Sequence, residues 1–184
     1  MHKFFFITDR KQFKKPFLET IKDVLDKGIR LIQIREKDLP DDELFELTQK
    51  VLEVSKGYNT KIFINSRVDI ALILNLDGVH LPSKSIPIAY VKQKFPHLIV
   101  GKSCHSVEDV LKAQEEGADY VYISPIFKVE GKGEPIGLEG LKEVLKVAKI
   151  PVYALGGINR SNYQDVLKTG VYGIASIRFF LQDL

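Results

Sequence analysis

Apolar residues recur along this chain in two alternating patterns. Short runs rich in β-branched and aromatic residues are separated by longer amphipathic stretches, at about 20 to 25 residues per unit, the rhythm of repeated βα pairs. The short runs are KFFFIT, IRLIQIR, TKIFIN, LDGVHL, LIVGKS, ADYVYIS, IPVYAL and YGIASI, eight in all. Between them the period lengthens to that of a helix. DDELFELTQKVLEV puts Leu44, Leu47, Val51 and Val54 on one face, with acids in its first turn. HSVEDVLKAQEEGADY starts on a capping Ser106 and stops at Gly117, and INRSNYQDVLKTG closes on Gly170 in the same way. KSIPIAYVKQKF reads as a helix capped by Ser85 with Pro87 in its first turn.

Eight strands each followed by a helix predict a closed (β/α)8 TIM barrel, one domain over residues 1–184. The count of eight disfavours an open doubly wound sheet. Only RFFLQDL follows the last run, so the final helix should be truncated. Phe179, Phe180 and Leu181 are adjacent there, which predicts an apolar patch covered in a homo-oligomer.

Composition narrows the function. With 45% hydrophobic and 28% charged residues the chain can bury one good core. A net charge of +3 without a basic, aromatic-laced stripe argues against nucleic acid, and leaves cations to spare for anionic small molecules. No apolar run is long enough for a membrane span, and MHKFFFITD is too short for a signal core. The lone Cys104 cannot form an internal disulfide, so a reducing cytoplasm is expected.

In such barrels chemistry gathers where strands end. The polar residues there are Thr8, Asp9 and Arg10; Arg35, Glu36 and Lys37; Asn65, Ser66 and Arg67; His80, Ser83 and Lys84; Lys102, Ser103 and His105; Ser124, Lys128 and Lys132; Gly156 and Gly157; and Ser176 and Arg178. Cations outnumber acids in this set, which suits phosphate or diphosphate. The pair Gly156-Gly157 suits a tight turn alone or a backbone cradle for phosphate. Beside Arg178 in a barrel, and with a helix expected to start directly behind it, the cradle is favoured. GKGEPIG has the wrong spacing for a dinucleotide fingerprint and reads as a lid carrying Lys132. Cys104 reads as core filler and His80 as a packing histidine. The histidines show no metal-ligand spacing.

The segments IQIREK, FINSRVDIA, GVHLPSKS, GKSCHSVEDV, EEGADYVYISPIF, PIGLEGL and IPVYALGGI, in this order, resemble thiamine-phosphate synthases and their thiazole tautomerase (TenI-like) relatives over nearly the whole chain. The resemblance implies a barrel whose ligands are a pyrimidine diphosphate and a thiazole phosphate. It assigns Gln33, Ile34, Arg35, Glu36 and Lys37 with Asn65, Ser103 and Lys132 to the pyrimidine diphosphate. Arg35, Lys37 and Lys132 would carry the catalysis. Gly156, Gly157, Ile177 and Arg178 fall to the thiazole phosphate. It also implies magnesium, held weakly, because the family's two metal-binding Asp positions are Ser66 and Ser85 here. The lid's usual threonines are Val129 and Gly131, the phosphate-side serine is Arg178, and the tautomerase's catalytic His is Pro125. Three functions follow in order of preference: the synthase reaction, a thiazole phosphate tautomerase, and a non-catalytic binder of thiamine precursors.

Overall fold

The structure, a computed structural model, describes residues 1–182. All eight apolar runs form strands: β1 (Phe4–Ile7), β2 (Leu31–Ile34), β3 (Lys61–Asn65), β4 (Gly78–Leu81), β5 (Ile99–Cys104), β6 (Tyr120–Ile123), β7 (Val152–Ala154) and β8 (Gly173–Ser176). Each pairs in parallel with its sequence neighbour, and β8 returns to β1 to close the barrel. Among the described residues seven α-helices pack outside: α1 (Phe17–Asp26), α2 (Asp41–Ser55), α3 (Val68–Ile73), α4 (Ile88–Lys94), α5 (Val107–Glu115), α6 (Gly137–Val147) and α7 (Tyr163–Lys168). None of the described helices is long and apolar enough to cross a membrane.

Strand side chains alternate between two layers. Phe6, Ile32, Ile34, Ile62, Ile64, Val79 and Val121 point outward into the layer shared with the helices. Phe5, Leu31, Phe63, Tyr120, Tyr122 and Tyr153 fill the barrel itself. Rings this large fit because β4 and β5 each give up a side chain. A Cβ on Gly78 would lie 2.5 Å from Phe63 Cε2, and one on Gly101 would lie 2.0 Å from Tyr120 Cζ.

The helix reading needs two adjustments, and the patch expected after the last strand needs a third. The buried face of α2 is Leu44, Thr48, Val51 and Ser55, with Leu47 and Val54 half-buried beside it. Ser85 does not cap α4: Pro87 holds that position without a side-chain bond, and the Ser85 hydroxyl turns to the Ile86 carbonyl. Ser106 does cap α5, accepting from the Asp109 N–H at 3.1 Å. The final helix is reduced to a single 3-10 turn, Phe179–Leu181. Its apolar residues are not a patch. Phe180 is fully buried against Phe4 and Phe6, and Phe179 packs on Tyr163. The expected self-association therefore loses the surface it was based on.

Candidate active site

Strand alternation decides which residues reach the mouth. Gln33, Asn65, His80 and Ser103 follow the inward register of β2, β3, β4 and β5, and meet as a polar floor above the aromatic filling. Tyr122 donates its hydroxyl proton to Gln33 Oε1 at 2.8 Å, and Gln33 Nε2 lies 3.4 Å from Asn65 Oδ1. His80 Nδ1 lies 3.0 Å from the Tyr120 hydroxyl, and its Nε2 lies 2.8 Å from Ser103 Oγ. The His80 ring stacks on Tyr122 with centroids 4.0 Å apart. Burial, followed by the charges of Arg35 and Lys102, holds the His80 imidazole down to about 3, so it is neutral. Burial also pushes the Tyr120 and Tyr122 phenols well above their ordinary range. His80 is thus the satisfied packing residue expected, and it is also wired to Ser103.

The rim above β1 and β2 divides in two. Glu36 has the outward register and is buried. Its carboxylate accepts from Thr8 Oγ1 at 2.7 Å, from the Arg10 N–H at 3.0 Å and from the Arg10 guanidinium at 3.0 Å. Arg10 also forms a two-pronged pair with Asp38 at 2.7 Å on each arm, and its hydrogen bonds hold the Asp38 carboxyl well below the usual range. Glu36 therefore anchors the β1 and β2 loops, a different task from the ligand contact expected of it. The Ile34 side chain lies in the outer layer, so only its backbone is open to the mouth. Among the described residues Arg35 and Lys37 make no ion pair, in contrast to Arg10, and both line a cavity of about 190 Å³ with Asp9, Lys11, Glu36 and Asp38. Arg35 directly follows Ile34, the last residue of β2, and its charge helps hold the His80 imidazole down.

Gly156 and Gly157 have φ of 109° and 69°, in the region that favours glycine. A Cβ on Gly156 would lie 2.8 Å from Pro125 Cα, and one on Gly157 would lie 2.8 Å from Phe127 Cβ. The bare backbone first serves the approach of the β6–α6 loop, where the Phe127 N–H bonds the Gly156 carbonyl at 3.0 Å. The helix behind the pair does not start at once. A turn intervenes and α7 begins at Tyr163, so no helix N-terminus backs the glycines. Among the described residues, however, the N–H groups of Gly156, Gly157 and Ile158 donate to no group of the chain, and remain open to an anion. Arg178 turns aside: its Nε donates to Gln12 Oε1 at 2.6 Å, and it lines a groove with Thr20, Val24 and Phe180 over α1. Ile177 packs against the interior cluster. Lys132 lies exposed on the β6–α6 loop, where its N–H bonds the Val129 carbonyl at 3.1 Å.

The residues at the two metal positions do not fit a resident Mg²⁺. Ser66 offers an uncharged hydroxyl, and Ser85 Oγ accepts from the Lys102 ammonium at 3.0 Å. Among the described residues no three His, Cys, Asp or Glu side chains gather as a metal would need. Ser66 also holds φ of 67°, a strained backbone for serine that Asp or Asn tolerates better. Cys104 is buried, with its thiol pushed up to about 12, as filler should be.

The structural roles of Tyr120, Tyr122 and Arg10 were not anticipated from the sequence. Gly78 and Gly101 inside strands were the available signal, since a strand glycine marks a close approach by something else.

Comparison with known proteins adds a family. The model of the thiamine monophosphate synthase family matches residues 4–180. A protein of Aquifex aeolicus named "Putative thiamine-phosphate synthase 2" is 49% identical over 178 residues, covering 96% of each chain. The thiamine-phosphate synthase of Pyrococcus furiosus is 41% identical over 177 residues, covering 95% of this chain and 84% of that one. A solved structure of thiamine phosphate pyrophosphorylase from the same organism superposes with a TM-score of 0.88 at 40% identity, over 95% of this chain and 85% of that one.

Proposed function

The chain belongs to the thiamine monophosphate synthase family, and from that premise we propose that it joins a pyrimidine diphosphate to a thiazole phosphate with release of diphosphate. The thiazole nitrogen attacks the pyrimidine methylene as the C–O bond to the diphosphate breaks. The electron pair of that bond leaves with the diphosphate, and Arg35, Lys37 and Lys132 offset the charge that develops there. Gln33, Asn65 and Ser103 orient the pyrimidine ring from the floor. The open N–H groups of Gly156 and Gly157 hold the thiazole phosphate, with Arg178 swinging from Gln12 to join them. Magnesium enters as part of the diphosphate substrate, since the chain's own residues do not hold it. A cytoplasmic setting completes the proposal and suits the unpaired thiol of Cys104.

One observation carries this reading: Arg35, whose charge reaches the hydrogen-bonded polar floor at His80, lines the mouth cavity and forms no ion pair among the described residues. Such a cation is available to an anionic ligand. The tautomerase reading fares worse. It needs a proton shuttle, yet both nitrogens of His80 are engaged in the interior and His105 Nδ1 sits 2.8 Å from the Ser124 carbonyl. The test is incubation of purified protein with both phosphorylated precursors over a range of Mg²⁺, with chromatographic detection of thiamine phosphate. Formation of that product supports the synthase. Its absence, with both precursors bound, leaves a binding protein.

A further inference from the structure

Lys102 is a cation without a carboxylate, and it sits against one of the two positions that do not fit a metal. It lies on β5 between Gly101 and Ser103, which take the inward register, so its stem runs along the outer side of the strand. The side chain is half-buried, and its Nζ turns to Ser85 in the β4–α4 loop at 3.0 Å. Ser85 gives its own proton to the Ile86 carbonyl and meets the ammonium with a lone pair. The Lys102 charge also helps hold the His80 imidazole down. An ammonium has three N–H groups. Among the described residues Ser85 is the one hydrogen-bond partner of Lys102 and no acid pairs with it, in contrast to Lys92 on α4, which Asp119 holds at 2.8 Å. The acids nearest the other position are also taken, since Asp41 and Asp69 both hold Arg67, next to Ser66. A divalent ion on Ser85 would therefore meet a repelling ammonium and no neutralising carboxylate. Two N–H groups in a half-buried place without an acceptor suit an anion instead.

We propose that the Lys102 ammonium stands in for a protein-held divalent ion at the β4–α4 loop, binding diphosphate through its open N–H groups, so that the chain takes up diphosphate without a metal. That the diphosphate is carried by a pyrimidine rests on the synthase reading above. The metal-independent capture does not.

Calorimetry with inorganic pyrophosphate tests this, once with EDTA and once with Mg²⁺. The wild-type chain is expected to bind pyrophosphate as tightly in EDTA as in Mg²⁺. Lys102→Met keeps the stem and removes the charge. In EDTA it should bind about tenfold to a hundredfold more weakly, the scale of one charge-assisted hydrogen bond, with its unfolding midpoint held. Lys102→Arg keeps the charge and should retain most of the affinity. Wild-type binding that requires Mg²⁺ would overturn the proposal, and so would unchanged affinity in Lys102→Met. Equal losses in the Met and Arg variants would assign Lys102 to packing and overturn it as well. Metal-free pyrophosphate binding that depends on Lys102, in a protein that makes no thiamine phosphate, would sustain the ammonium site while ending the synthase reading.

Discussion

The floor of the barrel and the rim of its mouth are built on opposite terms. On the floor, Gln33, His80, Ser103, Tyr120 and Tyr122 each find a partner within the chain. On the rim, Arg35, Lys37 and Lys132 form no ion pair among the described residues, whereas Arg10 is held by Glu36 and Asp38. The difference separates two tasks. A satisfied buried network fixes geometry before any ligand arrives. An unpaired cation at an open mouth contributes little to folding and keeps its charge for the ligand. Glu36 shows how the two are kept apart. By holding Arg10, it ties the β1 and β2 loops together and leaves Arg35 alone.

The comparison breaks most visibly at Glu36. Glu36→Ala strands the Thr8 hydroxyl and the Arg10 N–H and should lower stability by about 3 kcal/mol, at the upper end for buried groups left without an acceptor. Urea unfolding measures it, and a loss below about 1 kcal/mol would remove Glu36 from the framework. Arg35→Ala should do the reverse. The folding midpoint should hold while kcat/KM falls by about tenfold to a hundredfold, the scale of one charge-assisted hydrogen bond. A lower midpoint with unchanged kinetics would move Arg35 into the framework.

His80 sharpens the contrast through pH. Its imidazole is held near 3 in the folded chain and returns toward 6.5 on unfolding. Between those values the unfolded state binds the extra proton, so stability is full above about 6.5 and falls as the pH drops. About 2 kcal/mol should be lost from pH 7 to pH 5 through this residue, and His80→Gln should flatten that part of the curve. An identical slope in both proteins would contradict the buried, neutral assignment. The smallest effect is expected at Arg178. Because its guanidinium rests on Gln12, Arg178→Ala should weaken thiazole phosphate binding by less than a full charge-assisted bond, about threefold by calorimetry. A loss of a hundredfold would mean that the arm gives up nothing in leaving Gln12.

Much of this was legible in the chain, and the failures share a cause. The eight apolar runs become eight strands because continuous β-branched and aromatic character suits a strand buried on both faces. Their alternation was sufficient to bring Gln33, Asn65 and Ser103 to one end. The same alternation separates Arg35 from Glu36, although adjacency in IREK invited grouping them. What remained hidden were partner choices across the barrel. Nothing local to Tyr120 announces that it reaches His80, 40 residues away, nor to Phe180 that it folds back on Phe4 rather than facing solvent. Gly156 and Gly157 were recognised as requiring bare backbone. What approaches them is, first of all, another loop of the same chain.

The central claim is that a charge-free floor orients the pyrimidine while unpaired rim cations draw off the diphosphate. A single-turnover quench experiment tests it most directly, with both precursors saturating and Mg²⁺ in excess, on the wild-type chain and on Arg35→Ala. The account predicts thiamine phosphate in both, formed about tenfold to a hundredfold more slowly in the variant. No thiamine phosphate from either protein at any Mg²⁺ concentration, with both precursors demonstrably bound, would contradict it.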